Sequence, residues 1–282
     1  AFAQALAEGK LERTPSVLVH LDNCLACMAC ERVCPSKVQY GELITTTRAW
    51  LADGGAPVRR ARALGCLMAR PRLLGMLLRV ANLPGLRQVL QSRVVRALAR
   101  PFGMERMLAE LPRLPHIDAI PARATQASRG RVGLFLGCVA ASVDRDVHAA
   151  ATNLLQALGY EVVLPRAQGC CGALALHHGD AAQAESLGDA LHAALADVEV
   201  DTVLVSASGC FGTLRDHVFA DSGIRVREIH EFLDADTRID TLKFRPLSER
   251  IAVHTPCTQR NVARADGAIA RLLARIPQLQ VD

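Results

Sequence analysis

Cys24, Cys27, Cys30 and Cys34 lie in the stretch LDNCLACMACERVCPSK, with Pro35 directly after the last of them. The spacing C-x2-C-x2-C-x3-C-P suits thiolate ligation of an iron–sulfur cubane, in which three closely set sulfurs cap one corner and the fourth turns away. Either Cys34 closes the same cluster, or it serves the cluster of a partner motif that would precede Ala1. A structural zinc site is the bland alternative, although zinc usually draws on two separate C-x2-C knuckles rather than on one run.

A second set of thiols is spread along the chain: Cys138 in LGCVAASVD, Cys170 and Cys171 in QGCCGALALHHGD, and Cys210 in SASGCFGTL. Four soft thiolates favour an iron–sulfur cluster or zinc over hard cations. The competing readings are a vicinal disulfide between Cys170 and Cys171, or thiols that are merely core. Cys257, in HTPC, belongs either to this site or to a twin of it. Cys66, alone in ARALGCLMARP, reads as a buried helix residue rather than a ligand. His177 and His178 read either as groups that tune a cluster or relay a proton, or as part of a solvated loop. His254 reads as an inward-facing strand residue with its polar atoms satisfied. No Ser-His-Asp, Walker or G-x-G-x-x-G pattern occurs, so nothing points to a nucleotide or flavin held by this chain itself.

The elements that must position these thiols follow from periodicity. FAQALAEGKLER and PSVLVHLDNCLACMACERVC carry apolar residues at helical spacing, which predicts a small all-helical module over residues 1–47. Residues 48–129 are rich in Leu and Arg and are cut by Pro and Gly, which predicts a linker of short helices. From residue 130 the pattern changes. RVGLFLGC, EVVLP, DTVLVSASGC and RVREIHEFL read as strands, and DRDVHAAATNLLQALGY as an amphipathic helix ended by Gly159. The alternation predicts a parallel-sheet α/β unit over 130–240, with Cys138, Cys170, Cys171 and Cys210 converging at the carboxyl edge of the sheet. RIAVHTPC (250–257) repeats RVGLFLGC (131–138) and also leads into a helix, which predicts a second copy over 241–282. On that offset the copy stops short of its own paired cysteines.

The 282 residues, half of them hydrophobic, suffice for a real core. No apolar run approaches the roughly 18–20 residues of a membrane span, so no transmembrane segment is expected. AFAQALAEGKLER lacks the pattern of a secretory signal, and ten cysteines clustered in metal-binding spacings fit a reducing compartment. The net charge of +5 is unevenly placed: Arg48–Arg131 holds sixteen arginines against four acidic residues, which calls for an acidic partner. With 4% aromatic residues and no recognition motif, nucleic acid is not that partner.

These residues resemble the iron–sulfur subunit of glycolate oxidase, within the wider group of proteins with cysteine-rich CCG domains that includes heterodisulfide reductase and lactate-utilisation subunits. The resemblance is carried by HLDNCLACMACERVCPS, LGCVAASVD, QGCCGALALHHGD, SASGCFGTL and HTPCTQRNV, in that order. It implies a multidomain α+β and α/β chain: a ferredoxin-like module (1–47), the helical linker (48–129), a first CCG repeat (130–240) and the start of a second, cut short (241–282). The implied ligands are Cys24, Cys27, Cys30 and Cys34 for a 4Fe–4S cluster, and Cys138, Cys170, Cys171, Cys210 and Cys257 for a second cluster or zinc. The implied role is non-catalytic: electrons from a separate FAD-containing subunit that oxidises a 2-hydroxy acid such as glycolate pass towards a quinone. That places the chain in the cytoplasm, peripheral on the inner membrane, with the arginines as docking surface for the flavoprotein or anionic lipid. Cys210 is followed by Thr213 rather than a second cysteine, which counts against a disulfide-cleaving role of heterodisulfide-reductase type. The third reading is a zinc-binding remnant without redox function.

Overall fold

The computed structural model describes residues 2–52, 65–67, 69–114, 129–165, 167–196 and 198–282. Four short helices open the chain: α1 (Phe2–Ala7), α2 (Pro15–Asp22), α3 (Ala29–Val33) and α4 (Tyr40–Ala52). Thr14 caps α2 through its side chain and Pro15 starts it, an arrangement that uses the missing N–H of proline where no helical partner exists. Leu6, Val17 and Leu21 close a small core beneath α4. Helix α4 runs straight across residue 47, where periodicity set the end of the first module. No breaker stands between Tyr40 and Ala52 to stop it.

Short helices fill the described part of the arginine-rich segment: α5 (Pro71–Ala81), α6 (Leu86–Leu90), α7 (Arg93–Ala99) and α8 (Glu105–Ala109). Residues 53–64 and 115–128 of the expected linker lie outside the described residues. Val94, Leu98 and Phe102 stand exposed beside the arginines of this segment.

The central unit is a four-stranded, all-parallel sheet in the order β2-β1-β3-β4, built from β1 (Arg131–Phe135), β2 (Glu161–Val163), β3 (Thr202–Val205) and β4 (Arg225–Glu228). Parallel strands need crossovers, and helices supply them on both faces. α9 (Ala140–Val143) and α10 (Arg145–Ala157) follow β1. α11 (Ala173–His177) and α12 (Ala181–Ala196) follow β2, and α13 (Ser208–Thr213) follows β3. The period of two along the strands sorts the core: Val132, Leu134 and Leu204 face Leu155 and Leu158, while Phe135, Val203 and Val205 face Leu191 and Leu195. This is the α/β architecture that the strand pattern predicts.

Beyond α14 (Ile229–Asp234), β5 (Arg250–Ile251) and β6 (Gln280–Val281) form a separate parallel pair around α15 (Asp266–Ala274). Arg131 lies opposite Glu161, and Arg250 opposite Gln280, so both partners are displaced by the same 119 residues. The β5–β6 pairing thus has the same register as the β1–β2 pairing. His254 departs from expectation. β5 ends at Ile251, and His254 is exposed on the loop that follows. Among the described residues no helix is long and apolar enough to cross a membrane.

Candidate metal centre

Three loops leave the carboxyl ends of β1, β2 and β3 and bring four thiols to one cavity of about 240 Å³. Cys138, Cys170, Cys171 and Cys210 line it, together with Leu174, Leu187, His177 and Gln183. One ordered water needs only roughly 10–15 Å³ on this measure, so the space suits something much larger than a water. Cys170 and Cys171 are buried; Cys138 and Cys210 are half-buried. All ten cysteines are free thiols, which sets aside the vicinal disulfide.

Glycine shapes the turn. Gly172 has φ +81°, and a Cβ there would lie 2.7 Å from the carbonyl oxygen of Ala184 on α12. Both the left-handed backbone and the close approach demand glycine directly after the two cysteines. Its N–H points at Cys170 Sγ at 3.5 Å. On the other side, the side chain of Gln168 extends the sheet's bonding: its Oε1 accepts from the Leu136 N–H at 2.7 Å and its Nε2 donates to the Leu134 carbonyl at 3.2 Å. Gln168 therefore holds the loop before Cys170 against the end of β1, two residues before Cys138. Nothing in the spacing of the sequence marks Gln168 for that task.

The four sulfurs neighbour one another in the order Cys138, Cys170, Cys171, Cys210. Cys170 is held well below the usual thiol range, first by the Cys138 thiol and then by that of Cys171. The neighbours are pushed up: Cys138 by its bond to Cys170 and by burial, and Cys171 by its bonds to Cys170 and Cys210. Among the described residues no group of three or more Cys, His, Asp or Glu side chains is arranged for a single metal ion. With apolar neighbours and a backbone N–H aimed at sulfur, this donor set fits a multi-atom iron–sulfur cluster.

Cys24 and Cys30 are exposed, Cys27 and Cys34 half-buried; Cys24 and Cys27 lie on the loop between α2 and α3, Cys30 on α3, and Cys34 directly after it. Positive φ at Ala26 (49°) and Met28 (56°) coils this loop. Two side chains tie it to the sheet unit. The Arg48 guanidinium donates to the carbonyls of Leu21 (2.8 Å), Asp22 (3.2 Å) and Cys24 (2.6 Å), and with its other nitrogen to that of His177 (3.0 Å). A cation there meets the carbonyl-rich end of α2, where the helix dipole favours positive charge. Asn261, in the second copy, donates to the Cys27 carbonyl at 2.8 Å. The eight cysteines thus form two neighbouring groups in one body.

Cys257 is exposed and is not among the residues lining the cavity. Its neighbour Thr258 instead bonds Ser208 at 2.8 Å, which ties the second copy to α13. Cys66, expected to be buried, is only partly so: Gln183, which lines the cavity, donates to its sulfur at 2.8 Å, and Gly65 lines the cavity beside it. Of the two histidines, His178 is exposed and His177 lines the cavity. His177 is held below the usual histidine range, first by burial and then by the charge of Arg48.

Residues 132–215 match the cysteine-rich domain described as CCG, the stretch that carries all four cavity cysteines. The chain carries a CCG cysteine-rich domain. Over most of its length it is also similar to proteins named as iron–sulfur subunits. It is 32% identical over 237 residues to the probable glycolate oxidase iron–sulfur subunit of Bacillus subtilis, covering 78% of this chain and 53% of that protein. It is 29% identical over 283 residues to the glycolate oxidase iron–sulfur subunit of Escherichia coli, covering 91% and 63%. A shorter match, 35% over 128 residues, is to one subunit of the CoM/CoB fumarate reductase of Methanothermobacter marburgensis, covering 45% of this chain and 25% of that protein. The chain therefore spans a little over half to under two thirds of the length of the two glycolate oxidase subunits. No solved structure matches it. The CCG domain and its iron–sulfur relatives agree with the donor set of the cavity.

Proposed function

We propose that this chain is the electron-transfer iron–sulfur part of a flavin-dependent 2-hydroxy-acid oxidoreductase of glycolate oxidase type. The observation that carries the reading is the convergence of Cys138, Cys170, Cys171 and Cys210 on one cavity at the carboxyl edge of the sheet, beside the Cys24 loop. In this reading the cavity thiolates hold a cluster, and Cys24, Cys27, Cys30 and Cys34 hold a 4Fe–4S cluster in a ferredoxin-like module. Such clusters supply one-electron storage at potentials set by burial and by hydrogen bonds to sulfur.

The chain's own residues have definable tasks. The thiolates bind, the Gly172 N–H offers a bond to Cys170 Sγ, and Leu174 and Leu187 keep water from the sulfurs. Arg48 and Asn261 hold the two cysteine groups at fixed separation, which a relay needs because tunnelling falls steeply with distance. Oxidation of the hydroxy acid belongs to an FAD-containing partner, and electrons leave towards a quinone at the cytoplasmic face of the inner membrane. The arginines and exposed apolar residues of α5 to α8 are the docking surface in this reading.

The test is iron, acid-labile sulfide and zinc per chain after anaerobic purification, with electron paramagnetic resonance before and after reduction. Iron and sulfide in equal amounts, with a signal on reduction that Cys138→Ser removes in part, supports the relay. Zinc without sulfide overturns it.

A further inference from the structure

We propose that His177 is the hydrogen-bond donor to the sulfur-bearing group in the thiol cavity and raises its reduction potential. The inference rests on the reading that the cavity holds an iron–sulfur cluster, and concerns a residue that does not ligate it.

Three observations converge on this ring. First, α11 starts at Ala173, directly after the two cysteines and Gly172, and Leu174 and His177 are three residues apart, hence on one face of it. Both line the cavity. Second, His177 Nδ1 is sealed from solvent and has no hydrogen-bond partner among the described residues. A polar ring with one nitrogen left unpaired is rare in a folded chain, and the cavity is the space that this ring borders. Third, the other polar side chain in that wall is already engaged: the Gln183 amide donates to Cys66 Sγ at 2.8 Å. Arg48 fixes the end of α11 by donating to the His177 carbonyl at 3.0 Å, so the ring stands on an anchored backbone.

The consequence follows from charge. Adding one electron to a thiolate-bound cluster increases the negative charge on its sulfurs, and an N–H aimed at sulfur stabilises the reduced state more than the oxidised one. A ring that donates there raises the potential. A ring that only packs leaves it unchanged.

The test uses the full chain loaded anaerobically with iron and sulfide. The cavity signal is identified as the one lost in Cys138→Ser, and its midpoint potential is measured in the wild type, His177→Leu and His177→Gln. The leucine variant is expected to favour the oxidised state about tenfold, a fall of about 59 mV for a one-electron couple. Glutamine, which retains an N–H, should recover most of that shift at unchanged iron and sulfide content. In wild-type protein labelled with ¹⁵N-histidine, pulsed paramagnetic resonance of the reduced centre should show a nitrogen coupling that His177→Leu lacks. Equal potentials in wild type and His177→Leu, or no histidine coupling in the wild type, overturn the proposal while leaving the relay reading intact. If His177→Leu fails to load, the labelled wild-type protein decides alone. Absence of iron and sulfide from the wild-type cavity sinks the relay reading and this inference together.

Discussion

Arg48 and His177, 129 residues apart in sequence, are joined by a 3.0 Å hydrogen bond from the Arg48 guanidinium to the His177 carbonyl. The other terminal nitrogen of Arg48 holds the Cys24 carbonyl at 2.6 Å. One side chain thus touches the backbone of both cysteine groups. Lysine cannot reproduce this, because its single ammonium lacks the planar fork that reaches two separate sets of acceptors. Arg48→Lys is expected to loosen the Cys24 loop while sparing the sheet. Amide exchange over residues 21–30 should rise about tenfold or more, the scale of one charged hydrogen bond at roughly 1.5–3 kcal/mol. Exchange over β1 should not change. Equal protection of the loop in both proteins would show that the tie is dispensable.

Gly172→Ala should cost the cavity the cluster proposed for it. The substitution forces a Cβ to 2.7 Å from the Ala184 carbonyl oxygen at φ +81°, and α12 must move to admit it. Left-handed backbone alone costs a non-glycine residue roughly 1–2 kcal/mol, before the clash. Iron and sulfide per chain should fall by the content of one site. Gly169→Ala, where a Cβ would meet nothing within 4 Å, is the control and should retain them. Full loading of both variants would contradict the role assigned to the turn.

Asp236 sets an acid limit on stability. Its buried carboxylate accepts from the Arg238 N–H (3.0 Å), Arg129 (2.6 Å) and the Tyr160 hydroxyl (3.0 Å). Burial alone would raise its pKa, but these bonds outweigh it and hold the group below the usual carboxylate range. A carboxyl depressed on folding contributes stability that is fully present above its unfolded pKa, about 3.9, and is lost as pH falls through the lower folded value. Asp236→Asn should lower the melting temperature at neutral pH by several degrees, for about 1–3 kcal/mol of impaired bonding. The gap between variant and wild type should narrow below pH 4. A gap that widens in acid would reverse the assignment.

Association with the flavin-bearing partner proposed above should weaken with salt. The surface of α5 to α8 exposes Arg70, Arg72, Arg79, Arg93, Arg100 and Arg106 with few acidic residues among them. Exposed charges are screened over about 10 Å at 0.1 M and about 3 Å at 1 M. The dissociation constant is expected to rise on the order of tenfold between 0.05 and 0.5 M salt, chiefly through a slower on-rate. Titration calorimetry against the purified flavoprotein checks it, and affinity indifferent to salt would remove the arginines from the interface.

The strands, the crossovers and the cysteines at the strand ends are all legible in RVGLFLGC, EVVLP and DTVLVSASGC, because a buried parallel strand must be an apolar run and its ligands must follow it. The matching offset of the β1–β2 and β5–β6 pairs is legible too, since RVGLFLGC and RIAVHTPC carry similar residue types at the same spacing. What the sequence could not determine is which distant side chains meet. Gln168 and Arg48 have ordinary local contexts, and each acquires its role only through partners up to 129 residues away. The same limit applies to Cys257 and His254. Both follow an apolar run that reads as one longer strand, yet β5 is only two residues long and both stand exposed. Local periodicity fixes secondary structure and the order of the thiols, whereas the enclosure of a site depends on packing between segments, and that only the tertiary structure decides.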